Sequence, residues 1–325
     1  MLVFSVALLG SEPVIFDTDS GFFGDDGAAL VMLLGSPGRA QILGITVVAG
    51  NVWTAKGVEY MREILKLAGQ PDVPVYGGAQ APLVHTAAMA EVENRRWGPV
   101  EYRGAFGQEY RGSPSGLDAV RFLMDTLNRS PGHITVLALG PMTNLAIALR
   151  MQPDLEKRIK RVVWMGGSVR VPGNSTKAAE FNFWFDPEAA QAVVRSRIQE
   201  KVMFGLDVCD KAKVNKARFD EIVAVKTPIT ARFAQDMGER YPGFYHNPQA
   251  EISMWDALVA AYIIDPAVAT KWEAKPLDVD ARFGKSYGAV IALEKELAPE
   301  ATPVRVVTEL DVARAWRLYK DLLTR

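Results

Sequence analysis

Along the chain, short apolar runs rich in β-branched residues alternate with segments whose apolar positions recur at helical spacing. Residues 14–16 read as a strand, residues 25–36 (DDGAALVMLLGS) as a helix, and residues 42–50 (ILGITVVAG) as a buried strand. Residues 54–69 carry a helical stripe ending on a glycine that suits a C-cap. The runs VPVYGG (73–78), ITVLALG (134–140) and RVVWMGG (161–167) each read as a strand closing on glycine, and KVMFGLDV (201–208) adds another. Strands separated by helices predict βαβ units, hence an α/β fold with a mostly parallel, Rossmann-like central sheet flanked by helices. No repeat, low-complexity tract or linker interrupts the pattern, so residues 1–325 read as one domain. Residues 84–115 are polar and irregular, the signature of a functional loop or an inserted segment.

Ligands of such sheets bind beyond the carboxyl ends of the strands, so the polar residues placed there carry the chemistry. The densest group is DTDSGFFGDD, which sets Asp17, Asp19, Asp25 and Asp26 directly after the first strand. Carboxylates packed together repel and hold protons unless something positive sits among them. A hard divalent cation, Ca²⁺ or Mg²⁺, resolves the repulsion through oxygen ligands. Taken singly, these aspartates also suit a helix start or a turn. Later strand ends add Asn51, the backbone carbonyl of Leu139, and Asn174, Glu180 and Asn182 in a glycine-broken stretch. Asp256, beside Trp255, opens an apolar helix. One amide or one carboxylate is usually a cap, whereas a converging set supplies both the donors and the acceptors that a polyhydroxylated substrate needs.

Composition mainly excludes. Thirty-seven Lys and Arg against 38 Asp and Glu leave a net charge of -1, so no basic field invites nucleic acid or an anionic membrane. A single cysteine, Cys209, rules out an intramolecular disulfide and any multi-cysteine metal site. With only His85, His133 and His246, a three-histidine zinc centre is a poor fit. Residues 2–9 (LVFSVALL) are apolar but too short to span a bilayer, and no Lys or Arg precedes them. Residues 1–13 therefore read as an N-terminal extension and the expected compartment is the cytoplasm. A signal remnant, with a periplasmic or secreted protein, is the alternative.

The motifs DTDSGFFGDDGAAL, GITVVAGN, VPVYGG, ALGPMTNLA, MGGSVRVPGN, AAEFNFWFDPEAA and MWDALVAAY occur in the order found in the inosine–uridine-preferring nucleoside hydrolases, which the chain resembles over residues 14–265. That resemblance implies a Ca²⁺ ion at the pocket floor, held by Asp19, Asp26, the Leu139 carbonyl and Asp256. It implies that Asp19 is the general base toward a water on that ion, and that Asp25 and Asn182 meet the ribose 2′-hydroxyl. Asn174 and Glu180 would hold the 3′/5′ side, Met165 would line the sugar, Asn51 would be a pocket asparagine and Asp256 would also meet ribose. The implied partners are a nucleoside substrate and further copies of the chain in a homodimer or homotetramer. One departure is the longer turn SGFFG before the Asp25–Asp26 pair, two residues beyond the common spacing, which leaves Asp17 and Asp19 as competitors for the cation; Asp19 is favoured.

Where members that act on both inosine and uridine carry histidines, this chain has Trp255 and, in the loop after the third strand, Trp97. That resembles the purine-preferring branch, in which indoles stack on the base, although large aromatics also serve simply as packing. His246, in a segment with Tyr241 and Tyr245, is a further candidate acid for the leaving base. Two other readings compete. One is a Mg²⁺-dependent phosphatase of the haloacid-dehalogenase type, suggested by the DTD triplet; the other is a non-catalytic, Ca²⁺-dependent nucleoside or sugar receptor on the same fold.

Overall fold

The computed structural model describes residues 10–110, 118–296 and 300–325. Most of the stretch assigned to an extension, residues 1–9, lies outside them. Glu12 and Pro13, at its end, already belong to the first strand. The Glu12 amide donates to the Arg39 carbonyl, and its carboxylate accepts from Lys160 and Arg161.

β1 (Glu12–Thr18), β2 (Ala40–Val47), β3 (Val75–Gly77), β4 (Thr135–Ala138), β5 (Arg161–Met165) and β6 (Lys201–Phe204) are the strands the sequence predicts. They pair in parallel in the order β3-β2-β1-β4-β5-β6. Alternation along β1 explains why the sheet is covered on both faces. Val14 and Phe16 enter a core with helices Ala28–Leu34, Asp256–Ile264 and Val312–Leu323, while Ile15 enters the opposite core with helices Asp118–Arg129, Thr143–Met151 and Pro187–Arg195. β7 (Lys213–Asn215) and β8 (Glu251–Ser253) form a small antiparallel ribbon, and their chain leads into helix Asp256–Ile264.

The C-terminal sixty residues do more than their sequence suggests. β9 (Ala269–Lys275) and β12 (Val304–Leu310) extend the sheet past β6, β12 parallel to β6 and β9 antiparallel at the edge. Between them, β10 (Leu277–Val279) and β11 (Val290–Ala292) pair as a separate ribbon. The predicted loop at 84–115 holds a helix, Ala87–Arg96, capped by the Thr86 hydroxyl, and a 3-10 turn, Gly104–Gly107; residues 111–117 lie outside the described residues.

Strand order reverses between β1 and β4, which is the switch point where the crevice of an open α/β sheet forms. The segments leaving β1, β2, β4 and β5 carry Asp19, Asn51, Leu139 and Gly166 to that end of the sheet. Among the described residues no helix is long and apolar enough to cross a membrane.

Candidate active site

The turn after β1 explains the first carboxylates. Asp17 is the last but one residue of the strand and sits opposite Thr46 of β2. It accepts from the Thr46 hydroxyl at 2.5 Å and the Asn144 amide at 2.8 Å, so it braces the strand ends rather than facing its fellow aspartates. Burial pushes its pKa up to about 7. Asp19 points the other way. Its carboxylate accepts from the Asn51 backbone amide at 2.7 Å and the Asn51 side chain at 3.2 Å. Gly50 and Gly140 press on it so closely that a Cβ on Gly50 would stand 2.0 Å from Asp19 Oδ2 and one on Gly140 would stand 2.8 Å from Asp19 Cβ.

The predicted helix at 25–36 does not start regularly. Residues Phe23–Gly27 form a wide turn in which Asp25 (φ -127°, ψ -105°) leaves helical conformation, and the α-helix proper runs from Ala28 to Leu34. The longer turn is anchored on both sides. The Phe23 amide donates to Asp236 Oδ2 at 3.0 Å, and the Phe23 ring packs edge-on against Phe233. The kink swings Asp25 and Asp26 toward Asp256, the first residue of helix Asp256–Ile264. The Asp256 amide donates to Asp25 Oδ1 at 3.1 Å, and the Thr18 hydroxyl donates to Asp26 Oδ1.

Asp25, Asp26 and Asp256 each bring a carboxylate oxygen within 4.8 Å of the others, and all three are buried. Burial first, and mutual repulsion second, lift Asp25 to about 8 and hold Asp19 and Asp256 well above the usual carboxylate range. Burial raises Asp26 less, to about 6, because the Thr18 hydroxyl opposes it. Asp26 Oδ2 is buried without a hydrogen-bond partner. An unpartnered buried oxygen among repelling carboxylates is the environment that a hard divalent cation satisfies, and a donor set of three buried carboxylates fits one. The structure thus gathers Asp25 where the resemblance places Asp19. Asp19 is drawn aside by the Asn51 amides, yet still feels the charge of Asp26 and Asp25.

Above the cluster opens a cavity of about 230 Å³. Part of its lining is polar: Asn51, Asn174, Glu180 and Asn182, beside Leu139 and Met165. Asn182 donates to the Leu139 carbonyl at 2.8 Å and the Met165 carbonyl at 3.1 Å, tying the ends of β4 and β5 together. Asn174 Oδ1 accepts from the Phe181 amide at 2.8 Å. Glu180 caps the short helix Phe181–Phe185, accepting from the Gly167, Asn182 and Phe183 amides, and its burial raises its pKa to about 7. The rest is aromatic: Phe22, Tyr102, Phe181, Tyr241 and Trp255, with Arg240 among them.

Trp255 is therefore where the sequence puts it. It is the one non-glycine residue with positive φ (29°) among the described residues, and its indole N–H is buried with no acceptor. Strained backbone of this kind costs about 1–3 kcal/mol and collects at functional sites. Trp97 and His246 are not brought in. Trp97 ends helix Ala87–Arg96 and packs edge-on against Phe283 at 5.2 Å, while His246 is exposed at the end of the turn Gly243–His246. Five residues after Trp97, Tyr102 enters the cavity in its place. Arg240 and Tyr241 enter instead of Tyr245 and His246. Helix Pro228–Arg240 stops at Arg240, and that end points at the cavity; no spacing in the sequence marks it.

A switch-point crevice with a buried carboxylate floor and a lining of amides and aromatic rings suits a small molecule that has both hydroxyls and a flat ring. The chain belongs to the inosine-uridine preferring nucleoside hydrolases, whose family model matches residues 14–317. It is 32% identical over 320 residues to the inosine-uridine preferring nucleoside hydrolase of Crithidia fasciculata, covering 97% of this chain and 98% of that one. It is 38% identical over 223 residues to the pyrimidine-specific ribonucleoside hydrolase RihA of Salmonella enteritidis, 69% of each chain. The solved purine-preferring ribonucleoside hydrolase from Gardnerella vaginalis superposes with a TM-score of 0.77 at 25% identity, over 96% of this chain and 98% of that one. The protein is thus an enzyme of the ribonucleoside-hydrolysing class, which sets aside the phosphatase and receptor readings. The preferences in these relatives' names point both to purines and to pyrimidines.

Gly50→Ala forces the Asp19 carboxylate to move, and if Asp19 is the general base that the resemblance implies, a misplacement near 1 Å costs on the order of 10²-fold in rate. Expected is a fall in kcat of about 10²-fold with the folded state retained, read by initial rates beside a thermal melt.

Proposed function

We propose that the enzyme hydrolyses the N-glycosidic bond of purine ribonucleosides, giving free base and ribose, in a calcium-dependent reaction. The observation that carries this reading is the cavity itself: buried Asp25, Asp26 and Asp256 at its floor, with Trp255 directly before Asp256 on its aromatic side. Calcium, when bound, supplies a Lewis acid that acidifies water and orients vicinal hydroxyls. Asp26, Asp256, Asp19 and the Leu139 carbonyl are the groups assigned to hold it. Asp26 and Asp256 already share the cluster, and Asp19 is coupled to Asp26 by charge.

Asp19 takes the proton of the attacking water, and the Asn51 amides keep its carboxylate oriented for that task. Asp25 accepts from the ribose 2′-hydroxyl, with Asn182 beside it. Asn174 and Glu180 hold the 3′/5′ side against Met165. As the bond to the base breaks, the sugar becomes cation-like, and the surrounding carboxylates and amide oxygens oppose that charge in a site where little water screens it. The indole of Trp255 stacks on the base.

Stacking is worth about 1–3 kcal/mol per base. The test is kcat/KM on inosine, guanosine, adenosine, uridine and cytidine for the native enzyme and Trp255→Ala. Expected are a purine preference in the native enzyme and a loss of about 10–10²-fold on inosine in the variant, with a smaller loss on uridine. Equal losses on both would remove the stacking role, and a native enzyme that favours uridine would replace the purine reading with a pyrimidine one.

A further inference from the structure

The aromatic wall of the cavity contains a single cation among the described lining residues, Arg240. Its guanidinium stacks on Phe22 at 4.4 Å, Tyr102 at 5.4 Å and Tyr241 at 5.9 Å from the ring centres. It donates to the Tyr102 hydroxyl and hydrogen-bonds Tyr241. No carboxylate among the described residues forms an ion pair with it. That is unusual for a half-buried arginine, because such a charge is normally paired; Arg240 instead acts through space on Asp25 at the cavity floor. The guanidinium has more N–H donors than two phenols can accept. Tyr102 in turn donates to Asn51 Oδ1 at 2.6 Å, and Asn51 donates to Asp19. Every donor in this chain points from Arg240 toward Asp19, so the arginine is held in one orientation by rings on its faces and a directed hydrogen-bond chain along its edge.

We infer that Arg240 is the residue that meets the departing base, and that it selects bases presenting oxygen acceptors (hypoxanthine and guanine over adenine), with Tyr102 as its positioning residue. The inference rests on the proposed hydrolysis of nucleosides and names the leaving-group side of that same site. An arginine pairs bidentately with the adjacent O6 and N7 acceptors of a 6-oxopurine, whereas adenine offers a donor at the 6-position and loses one of the two bonds. In the reaction, the electron pair of the bond between C1′ and the base nitrogen goes to the base. The water oxygen bonds C1′, its proton goes to Asp19, and the base anion takes a proton from solvent. An arginine stays protonated throughout. Arg240 therefore lowers the energy of the departing anion by its fixed charge and donors rather than by giving up a proton.

The experiment compares kcat/KM on inosine, adenosine and 4-nitrophenyl riboside, whose phenolate leaves without help, for the native enzyme, Arg240→Met, Tyr102→Phe and Asp19→Asn. Expected in the native enzyme is a preference for inosine over adenosine of about 10-fold or more. Arg240→Met should lose about 10²-fold on inosine, as when one transition-state donor is removed. It should lose only a few-fold on adenosine and least on the phenyl riboside. Tyr102→Phe should show the same ordering with smaller losses, which keeps the result readable if the arginine variant folds poorly. Equal losses on all three substrates in both variants would reduce Arg240 to a shaping residue and overturn the inference. So would an unchanged rate on inosine. Asp19→Asn should lose all three substrates alike, so a failure of Arg240 alone leaves the hydrolase reading standing. A native enzyme that cleaves none of the three overturns both.

Discussion

Asp19→Asn should lower kcat on nucleosides by about 10²–10⁴-fold, the usual contribution of a positioned base, while the protein still folds. The expectation follows from the way the carboxylate is held. Asparagine keeps the size, and its oxygen can still accept from the Asn51 backbone amide, so the pocket formed by Gly50 and Gly140 remains filled. What is lost is the capacity to take a proton. Stability should not suffer, because burial and the charges of Asp26 and Asp25 make an ionised Asp19 unfavourable in the folded protein without a cation. A kcat collapse with an unchanged or higher melting temperature is the predicted pair of results. A variant that turns over normally would transfer the base role to another group, while one that unfolds would mean that Asp19 is chiefly a structural residue.

Removing divalent cations should have an effect of similar size, and one with a direction in pH. Folded-state values of about 8 for Asp25 and about 6 for Asp26 lie above the 3.8 of an unperturbed aspartate. Groups raised in this way favour the folded state while protonated. The stability they contribute is complete below about pH 4 and is lost as pH rises through the folded values. Chelator-treated protein should therefore melt at progressively lower temperature between about pH 5 and pH 8. Added calcium should restore the melting temperature most at the alkaline end, where ligand carboxylates are free of protons. Differential scanning fluorimetry across that range checks it. A stability that rises with pH in the absence of cation would contradict the assignment of this cluster as a cation site.

Much of the fold was legible because the strands at 14–16, 42–50, 134–140, 161–167 and 201–208 are largely buried and read as nearly continuous apolar runs, while the half-buried edge strand at 73–78 was marked by its valines and closing glycines. β9 and β12 were not. β9 is an edge strand (ATKWEAK) with exposed Lys and Trp positions, so its pattern lacks an apolar face. The kink at Asp25 was also hidden, since DDGAALVMLL has ordinary helical periodicity and only the pull of Asp256 and Asp236 on the turn bends it.

At the site, carboxylates and amides that follow strand ends were readable from type and place. So was Trp255, because it adjoins Asp256. The aromatic wall was read less well. Trp97 and His246 look more chemically pointed than their neighbours, yet the chain turns Tyr102, Arg240 and Tyr241 inward. That choice is set by packing: Trp97 has Phe283 to rest on, whereas Arg240 is fixed by the rings of Phe22 and Tyr241. Phe22 itself belongs to the longer turn SGFFG. The two additional residues, a departure from the usual spacing when read as letters, thus place a ring beneath the arginine.

The measurement that bears most directly on the central claim is chromatographic: free base and ribose released from inosine by the native enzyme, after chelator treatment and again after calcium is returned. Equimolar hypoxanthine and ribose with calcium, almost none after chelation, and recovery on readdition are the predicted results. Release that persists undiminished in chelator, or inosine left intact in the presence of calcium, would contradict cation-assisted hydrolysis of nucleosides at the Asp19–Asp26–Asp256 site.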